Sequence, residues 1–184
     1  MKFIYKSLLV VALLFSFSEA SASHLLGGEI TWQCEADGDY TFVLKVYRDC
    51  GTNSIPLTAN SQTINISGAG APSSFSVTRV SITDISPSCY NAAINCNQVP
   101  SGKGAIEEHV YVKTDVKLSG APPLNGWTFW WYDCCRPPSV QNVAGASGTG
   151  YTVRAIMYPY TPPGNVGNNF RPVNKCFDNN KYPS

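Results

Sequence analysis

The residues of this chain with the widest chemical range are seven cysteines, which could form disulfide bonds, bind a metal or act as nucleophiles. They are Cys34, Cys50, Cys89, Cys96, Cys134, Cys135 and Cys176. No two of them have the Cys-x-x-Cys spacing that is typical of zinc sites. Disulfide bonds are therefore the expected use, and neither a metal site nor a cofactor is predicted. Because seven is odd, at least one cysteine must be free or pair outside this chain.

The N-terminus has the features of a secretory leader, which would deliver the cysteines to an oxidising compartment. A basic start is followed by the apolar run Ser7–Phe17, which is too short to cross a bilayer as a helix. Ala20-Ser21-Ala22 then supplies a small-x-small cleavage site. Residues 1–22 are predicted to be a signal peptide. Cleavage one residue later would leave His24 at the N-terminus.

The charge balance argues against partners that are captured electrostatically. The chain has 13 basic and 12 acidic residues, and removal of Lys2, Lys6 and Glu19 with the leader leaves 11 of each. Binding of nucleic acid or anionic lipid by charge requires a basic surface, so neither partner is expected. No apolar stretch after the leader approaches the length of a transmembrane segment. The remaining 162 residues (184 minus 22) are enough for one domain with a core.

Alternating apolar and polar residues predict an all-β fold, because side chains alternate between the faces of a strand. The expected strands are Glu29–Gln33, Tyr40–Tyr47, Thr63–Ile66, Phe75–Ile82, Val110–Leu118, Gly126–Tyr132 and Tyr151–Met157. Asp37-Gly38-Asp39 predicts a hairpin turn between the first two. The sequence thus predicts a disulfide-stapled antiparallel β-sandwich, Ig-like, over residues 23–158, and an irregular Pro- and Gly-rich tail over residues 159–184.

The predicted hairpin restricts two of the possible disulfide bonds. Cys34 would lie across from about Thr41, whereas Cys50 would lie about nine residues farther along the strand, or roughly 30 Å away. Bridged Cα atoms lie within about 7 Å, so Cys34 and Cys50 are not expected to pair. A short loop joins Cys89 to Cys96, and these two are predicted to pair with each other.

Cys134 and Cys135 are adjacent and could form a vicinal disulfide bond. If they lie on a strand, their side chains point to opposite faces, so bridges to two different partners are expected. The same geometry does not suit a compact zinc site.

The segment Trp127–Tyr132 carries aromatic rings at both alternating sets of positions. A central strand that is buried on both faces is the expected explanation. The alternative is an exposed platform that stacks on sugar rings, with Trp127, Trp130 and Trp131 as ligand-contact candidates.

No catalytic residues are predicted, because no nucleophile elbow, phosphate-binding loop or HExxH motif is present. His109 follows Glu107 and Glu108 in a run that is expected to be a solvated strand edge. One catalytic alternative is a copper-dependent polysaccharide oxidase, in which an N-terminal His24 and His109 would supply nitrogen ligands for copper(II).

Five short motifs follow one another along the chain. They are His24-Leu25-Leu26-Gly27-Gly28-Glu29-Ile30, Tyr47-Arg48-Asp49-Cys50, Glu107-Glu108-His109-Val110-Tyr111, Cys134-Cys135-Arg136-Pro137 with Asn142 beyond it, and Cys176-Phe177-Asp178-Asn179. In this order they resemble the N-terminal region of large secreted surface proteins of the Bacteroidota, many of them gliding-motility-associated. The resemblance implies export, display at the cell surface and an adhesin-like or structural role; in family members a C-terminal sorting domain directs passage through the type IX secretion system.

The resemblance and the residues together predict a secreted cell-surface module for structure or adhesion, without catalytic activity. Its expected partner is a protein or a glycan at the cell surface. A carbohydrate-binding protein is the alternative. Family members continue beyond the Cys176 motif into a sorting domain, whereas this sequence stops at Ser184. If the sorting signal is absent, the periplasm is the expected location.

Overall fold

The computed structural model describes residues 24–35, 38–52, 54, 56–89, 92–100, 102–137 and 140–159. The predicted leader and the predicted tail beyond Pro159 lie outside these ranges, as does Cys176.

The described chain forms nine β-strands and one turn of 3-10 helix. The strands are β1 Leu25–Cys34, β2 Tyr40–Asp49, β3 Ser61–Ser67, β4 Ser74–Asp84, β5 Ser88–Cys89, β6 Ala92–Ala93, β7 Ile106–Val116, β8 Trp127–Asp133 and β9 Tyr151–Met157, and the 3-10 turn is Ala146–Gly148. The described residues contain no α-helix. The prediction of an all-β fold is confirmed.

Seven of the strands form one antiparallel sheet in the order β1-β2-β7-β4-β3-β8-β9. β5 and β6 form a separate two-stranded hairpin. Only three of the six neighbouring pairs in the large sheet follow one another in sequence, so the fold depends on strands that are far apart along the chain. All seven of these strands therefore belong to one continuous sheet.

The sheet curls until its two outer strands touch, which nearly closes a barrel. At this contact, here called the seam, Gly28 of β1 lies against Val153 of β9. A Cβ atom added at Gly28 would lie 2.9 Å from Val153 Cγ2 and 2.8 Å from the Lys45 carbonyl oxygen. Glycine at this position therefore allows β9 to approach the backbone of β1 closely.

One hydrophobic core fills the interior of the curled sheet. In β2 the predicted alternation holds, since Phe42, Leu44 and Val46 are fully buried and Tyr40 packs against the core. Tyr111 of β7 and Ile64 of β3 complete this part of the core. The inward faces of all seven strands contribute to one core, so each strand of the barrel buries only one face.

The disulfide bonds differ from two of the predictions. Cys50 bonds to Cys96, so the predicted bond between Cys89 and Cys96 is wrong. The segment around Cys89 folds into the β5–β6 hairpin, and Cys96 lies beside the end of β2 instead. The expectation that Cys50 does not pair with Cys34 is confirmed, and Cys34 is itself disulfide-bonded.

Cys134 and Cys135 bond to each other, across a cis peptide, so the prediction of separate partners is wrong. That prediction assumed that both residues lie on a strand. β8 ends at Asp133, and the two cysteines lie in the irregular segment that follows it. The alternation of strand side chains therefore does not apply to them.

Candidate functional site

Four of the five sequence motifs meet at one end of the barrel, which is called the motif end and includes His24, Arg48, Glu107 and Cys135. The backbone N–H of Asp49 donates to the carbonyl oxygen of His24 at 3.0 Å. The N–H of Leu25 donates to the carbonyl oxygen of Cys135 at 3.0 Å. These bonds join the start of β1, the end of β2 and the segment after β8, and the start of β7 pairs with the end of β2, where Ile106 lies opposite Asp49.

Glu107 is the centre of a partly buried ionic group at the motif end. Its Oε1 atom accepts a hydrogen bond from Arg48 Nε and lies 2.6 Å from His109 Nε2. Arg48 and His109 are almost fully buried. Burial acts to raise the pKa of the Glu107 carboxyl, but the hydrogen bonds from His109 and Arg48 and their positive charge outweigh it, and the pKa falls below its usual 4.5.

His109 is not the solvated edge residue that the sequence predicts. β7 lies between β2 and β4 in the sheet, and the His109 side chain is 1% exposed. Its Nδ1 atom is buried without a hydrogen-bond partner among the described residues. The charged neighbours Glu107 and Glu108 suggested that His109 is solvated, but a residue on a central strand can be buried beside charged neighbours. The sequence alone did not reveal that β7 is central.

Asp49 organises the loops beside this ionic group. Its carboxylate accepts hydrogen bonds from the backbone N–H of Gly51, at 2.9 Å, and from that of Gly102. Cys50 N–H donates to the Ala105 carbonyl oxygen at 3.2 Å, and the Cys50–Cys96 bond fixes the same region covalently. A buried carboxylate that binds backbone N–H groups in this way holds loops in place.

Cys50, Cys96 and Glu107 are the one group of three potential metal ligands within the described ranges. The two sulfur atoms are bonded to each other, and a metal requires free thiolates. Glu107 is occupied by Arg48 and His109. The arrangement therefore fits a structural cluster whose potential ligand atoms are already engaged with one another or with neighbouring side chains.

The predicted aromatic segment forms β8, and it buries one face, whereas burial of both faces was expected. Trp127, Phe129 and Trp131 are fully buried in the core. Trp127 Nε1 donates to the Ala69 carbonyl oxygen at 3.0 Å. On the outer face, Trp130 is half-buried and Tyr132 is 67% exposed. Of the three tryptophans named as ligand-contact candidates, only Trp130 therefore lies on an accessible face.

A polar cleft lies where β3 and β8 separate. The two strands pair from Asn65 opposite Trp130 to Ser67 opposite Thr128, and beyond Asn65 they have no further ladder pairs. The β3–β8 cleft so formed has a volume of about 380 Å³. Its lining consists of Ser61, Gln62, Thr63, Asn65, Trp131 and Tyr132.

Sequence reasoning missed the four β3 residues of this cleft. Their polar side chains are visible in the sequence of β3, but a polar start to a strand is equally typical of an ordinary solvated surface. The information that was lacking is the pairing of β3 with β8, which are separated in sequence by four strands, β4 to β7. The pattern of residues along one strand therefore predicts neither the β3 residues that surround Tyr132 nor the cleft that they form.

No family model matches this sequence, and no match to it was found among curated proteins or solved structures. In the described residues, no helix has the length and apolar character needed to cross a membrane.

Proposed function

We propose that the protein is a secreted, non-catalytic module that serves in adhesion or structure at the cell surface, in the setting of gliding motility or surface attachment. The leader-like residues 1–22 support export. The Cys50–Cys96 bond supports an oxidising location, since such bonds persist mainly outside the cytosol.

The observation that carries the proposal is the enclosure of the motif end. Arg48, Glu107 and His109 are the groups best suited to acid–base chemistry, and they are engaged with one another; Arg48 and His109 are buried, and the Glu107 side chain is 16% exposed. A general base must reach a proton on its substrate, which the buried His109 does not do, and the Glu107 carboxylate is already bound by Arg48 and His109. The same enclosure argues against copper at His109, because neither of its ring nitrogens faces solvent.

A carbohydrate-binding protein is the second candidate function. It is favoured by the outer face of β8, where Trp130 and Tyr132 lie beside the polar residues of β3. Rings with an apolar face and a polar tip suit ligands that present both kinds of surface. The two candidates are compatible, since an adhesive module must recognise something.

The proposal is tested in cells that carry the full gene and in a matched deletion strain. Proteinase K added to intact cells should degrade the protein, and N-terminal sequencing should find a start at Ser23 or His24. The deletion strain should attach less to glass and to polysaccharide-coated surfaces. Restoring the wild-type gene should restore attachment.

Two outcomes would contradict the proposal. One is a protein that stays in the cytoplasm with its leader intact. The other is turnover of a polysaccharide by the purified mature chain, with or without added copper, at a rate that Glu107→Gln or His109→Ala abolishes.

A further inference from the structure

We infer that the β3–β8 cleft binds a neutral saccharide, with the ring of Tyr132 stacked on a sugar face. This inference rests on the recognition role proposed above and gives it a place and a ligand class. Three observations carry it: the separation of β3 from β8 beyond Asn65, here called the fork, the chemistry of the lining residues and the exposure of Tyr132.

The fork supplies polar groups that the sheet itself does not use. Ser61–Ile64 pair with β4 on one side only, and on the side towards β8 they have no ladder partner among the described residues. Backbone N–H and C=O groups at such an edge must bind water or a ligand. The exposed hydroxyl of Thr63 and the side-chain oxygen of Asn65 add to this set.

The floor of the cleft is held by packing and hydrogen bonds. Trp131 is buried, and its Nε1 atom donates to Gln62 Oε1 at 3.0 Å across the fork. Farther in, Asn65 Nδ2 lies 3.5 Å from the Trp130 carbonyl oxygen, where the ladder resumes. Side chains that are fixed by packing and hydrogen bonds lose little entropy when a ligand binds.

The lining favours a neutral ligand. None of its six residues carries a charge, so nothing in the lining would neutralise a phosphate, a sulfate or a carboxylate. A sugar ring presents C–H groups on its faces and hydroxyl groups around its rim. The ring of Tyr132 can stack on the C–H groups of a sugar face, and the amide and hydroxyl groups of β3 can form hydrogen bonds with the sugar hydroxyl groups. A volume of about 380 Å³ is near the lower end for small-ligand pockets, roughly 300–1,000 Å³.

An extended peptide fits this cleft less well. A peptide that joins a sheet edge needs an edge as long as a strand. Here the open edge ends at Asn65, where β8 takes its place beside β3. The fork would therefore stop a peptide after a few residues, whereas the end of a glycan chain could enter it.

The inference is tested by titrating the purified mature chain with cellohexaose, laminarihexaose, maltohexaose and chitohexaose in a calorimeter. Binding of at least one of these neutral oligosaccharides is expected, with a change in tryptophan fluorescence because Trp131 lies in the floor. Tyr132→Ala should weaken binding by about tenfold or more. Thr63→Lys, which places a long charged side chain in the cleft, should abolish it.

Tyr158→Ala is the matched control, since Tyr158 is also exposed, at 61%, but lies next to Gly126 at the opposite end of β8. It should bind as the wild type does. Thermal melting of each variant checks that it is folded.

Three results would overturn the inference. They are no binding of any neutral oligosaccharide at millimolar concentration, binding only of acidic polymers or of extended peptides, and binding that Tyr132→Ala and Thr63→Lys leave unchanged. None of them decides whether the protein is at the cell surface. Failure of surface display in the cell experiment would likewise leave saccharide binding in solution intact.

Discussion

At the scale of single residues, neighbours in sequence have opposite environments because β8 buries only one face. Trp131 fills the core and Tyr132 points outward, although both are large aromatic residues in the same strand. The sequence identified the strand and its alternation but did not show which set of rings faces inward. In a strand with rings on both sides, hydrophobicity does not distinguish the faces.

Substitution of these two neighbours should separate packing from recognition. Trp131→Ala should destabilise the protein by about 3–5 kcal/mol, because it leaves a large cavity in the core. It also leaves Gln62 without its hydrogen bond. Tyr132→Ala should cost less than about 1 kcal/mol, since the ring is exposed. Urea unfolding measures both, and equal losses would show that the assignment of faces is wrong.

Glu107 should make stability depend on pH in the acidic range. In the unfolded chain its carboxyl takes up a proton near pH 4.5, whereas in the folded chain its pKa is lower. The unfolded state therefore binds more protons in this range, and acidification favours it. The contribution of Glu107 is complete above about pH 4.5 and is lost as the pH falls through the folded pKa.

Urea unfolding at pH 6, 4.5 and 3 should show this loss in the wild type and a smaller loss in Glu107→Gln. Part of the loss should remain in the variant, because hydrogen bonds from Ser86 and from the backbone of Cys96 also lower the pKa of Asp84. If the free energy of unfolding falls equally with pH in both proteins, Glu107 does not contribute to the loss of stability in acid.

At the scale of elements, the seven strands of the large sheet were predicted, but apart from the β1–β2 hairpin their neighbours were not. The predicted strand Tyr151–Met157 coincides with β9, and the predicted Gly126–Tyr132 differs from β8 by one residue at each end. Alternation along a segment is local information. The pairing of β2 with β7 and of β3 with β8 depends on contacts between distant segments. The motif end and the β3–β8 cleft both arise from these pairings, so neither was foreseen.

The seam between β1 and β9 should be sensitive to a single methyl group. Gly28→Ala should destabilise the protein by roughly 1–3 kcal/mol, because the new Cβ would meet Val153 and the backbone of Lys45 below 3.0 Å. Gly27→Ala is the control, since its Cβ would meet its nearest neighbour, Tyr151, at an ordinary 3.6 Å. Thermal unfolding compares the two variants. A larger loss of stability in Gly27→Ala would mean that β1 and β9 do not approach most closely at Gly28.

At the scale of the whole molecule, the Cys50–Cys96 bond should contribute more to stability than the Cys134–Cys135 bond. The first spans 46 residues, and the chain-entropy model gives about 4 kcal/mol for a loop of that length. The second joins adjacent residues and restricts the unfolded chain little. Denaturant unfolding of the Cys50→Ser/Cys96→Ser and Cys134→Ser/Cys135→Ser variants should rank them in this order. The reverse order would indicate that the effect of the vicinal bond lies in the folded state.

The seam joins the two ends of the described chain. β1 and β9 are its first and last strands, and their contact spans a larger sequence separation than any other contact between the described strands. Topologies with such distant contacts fold slowly, and until the seam forms, both outer edges can pair with other molecules. The Cys50–Cys96 bond holds the end of β2 near the start of β7, where Asp49 pairs with Ile106. A chain in which this bond forms early in folding would therefore begin with its central pair aligned, which shortens the interval during which its edges are exposed.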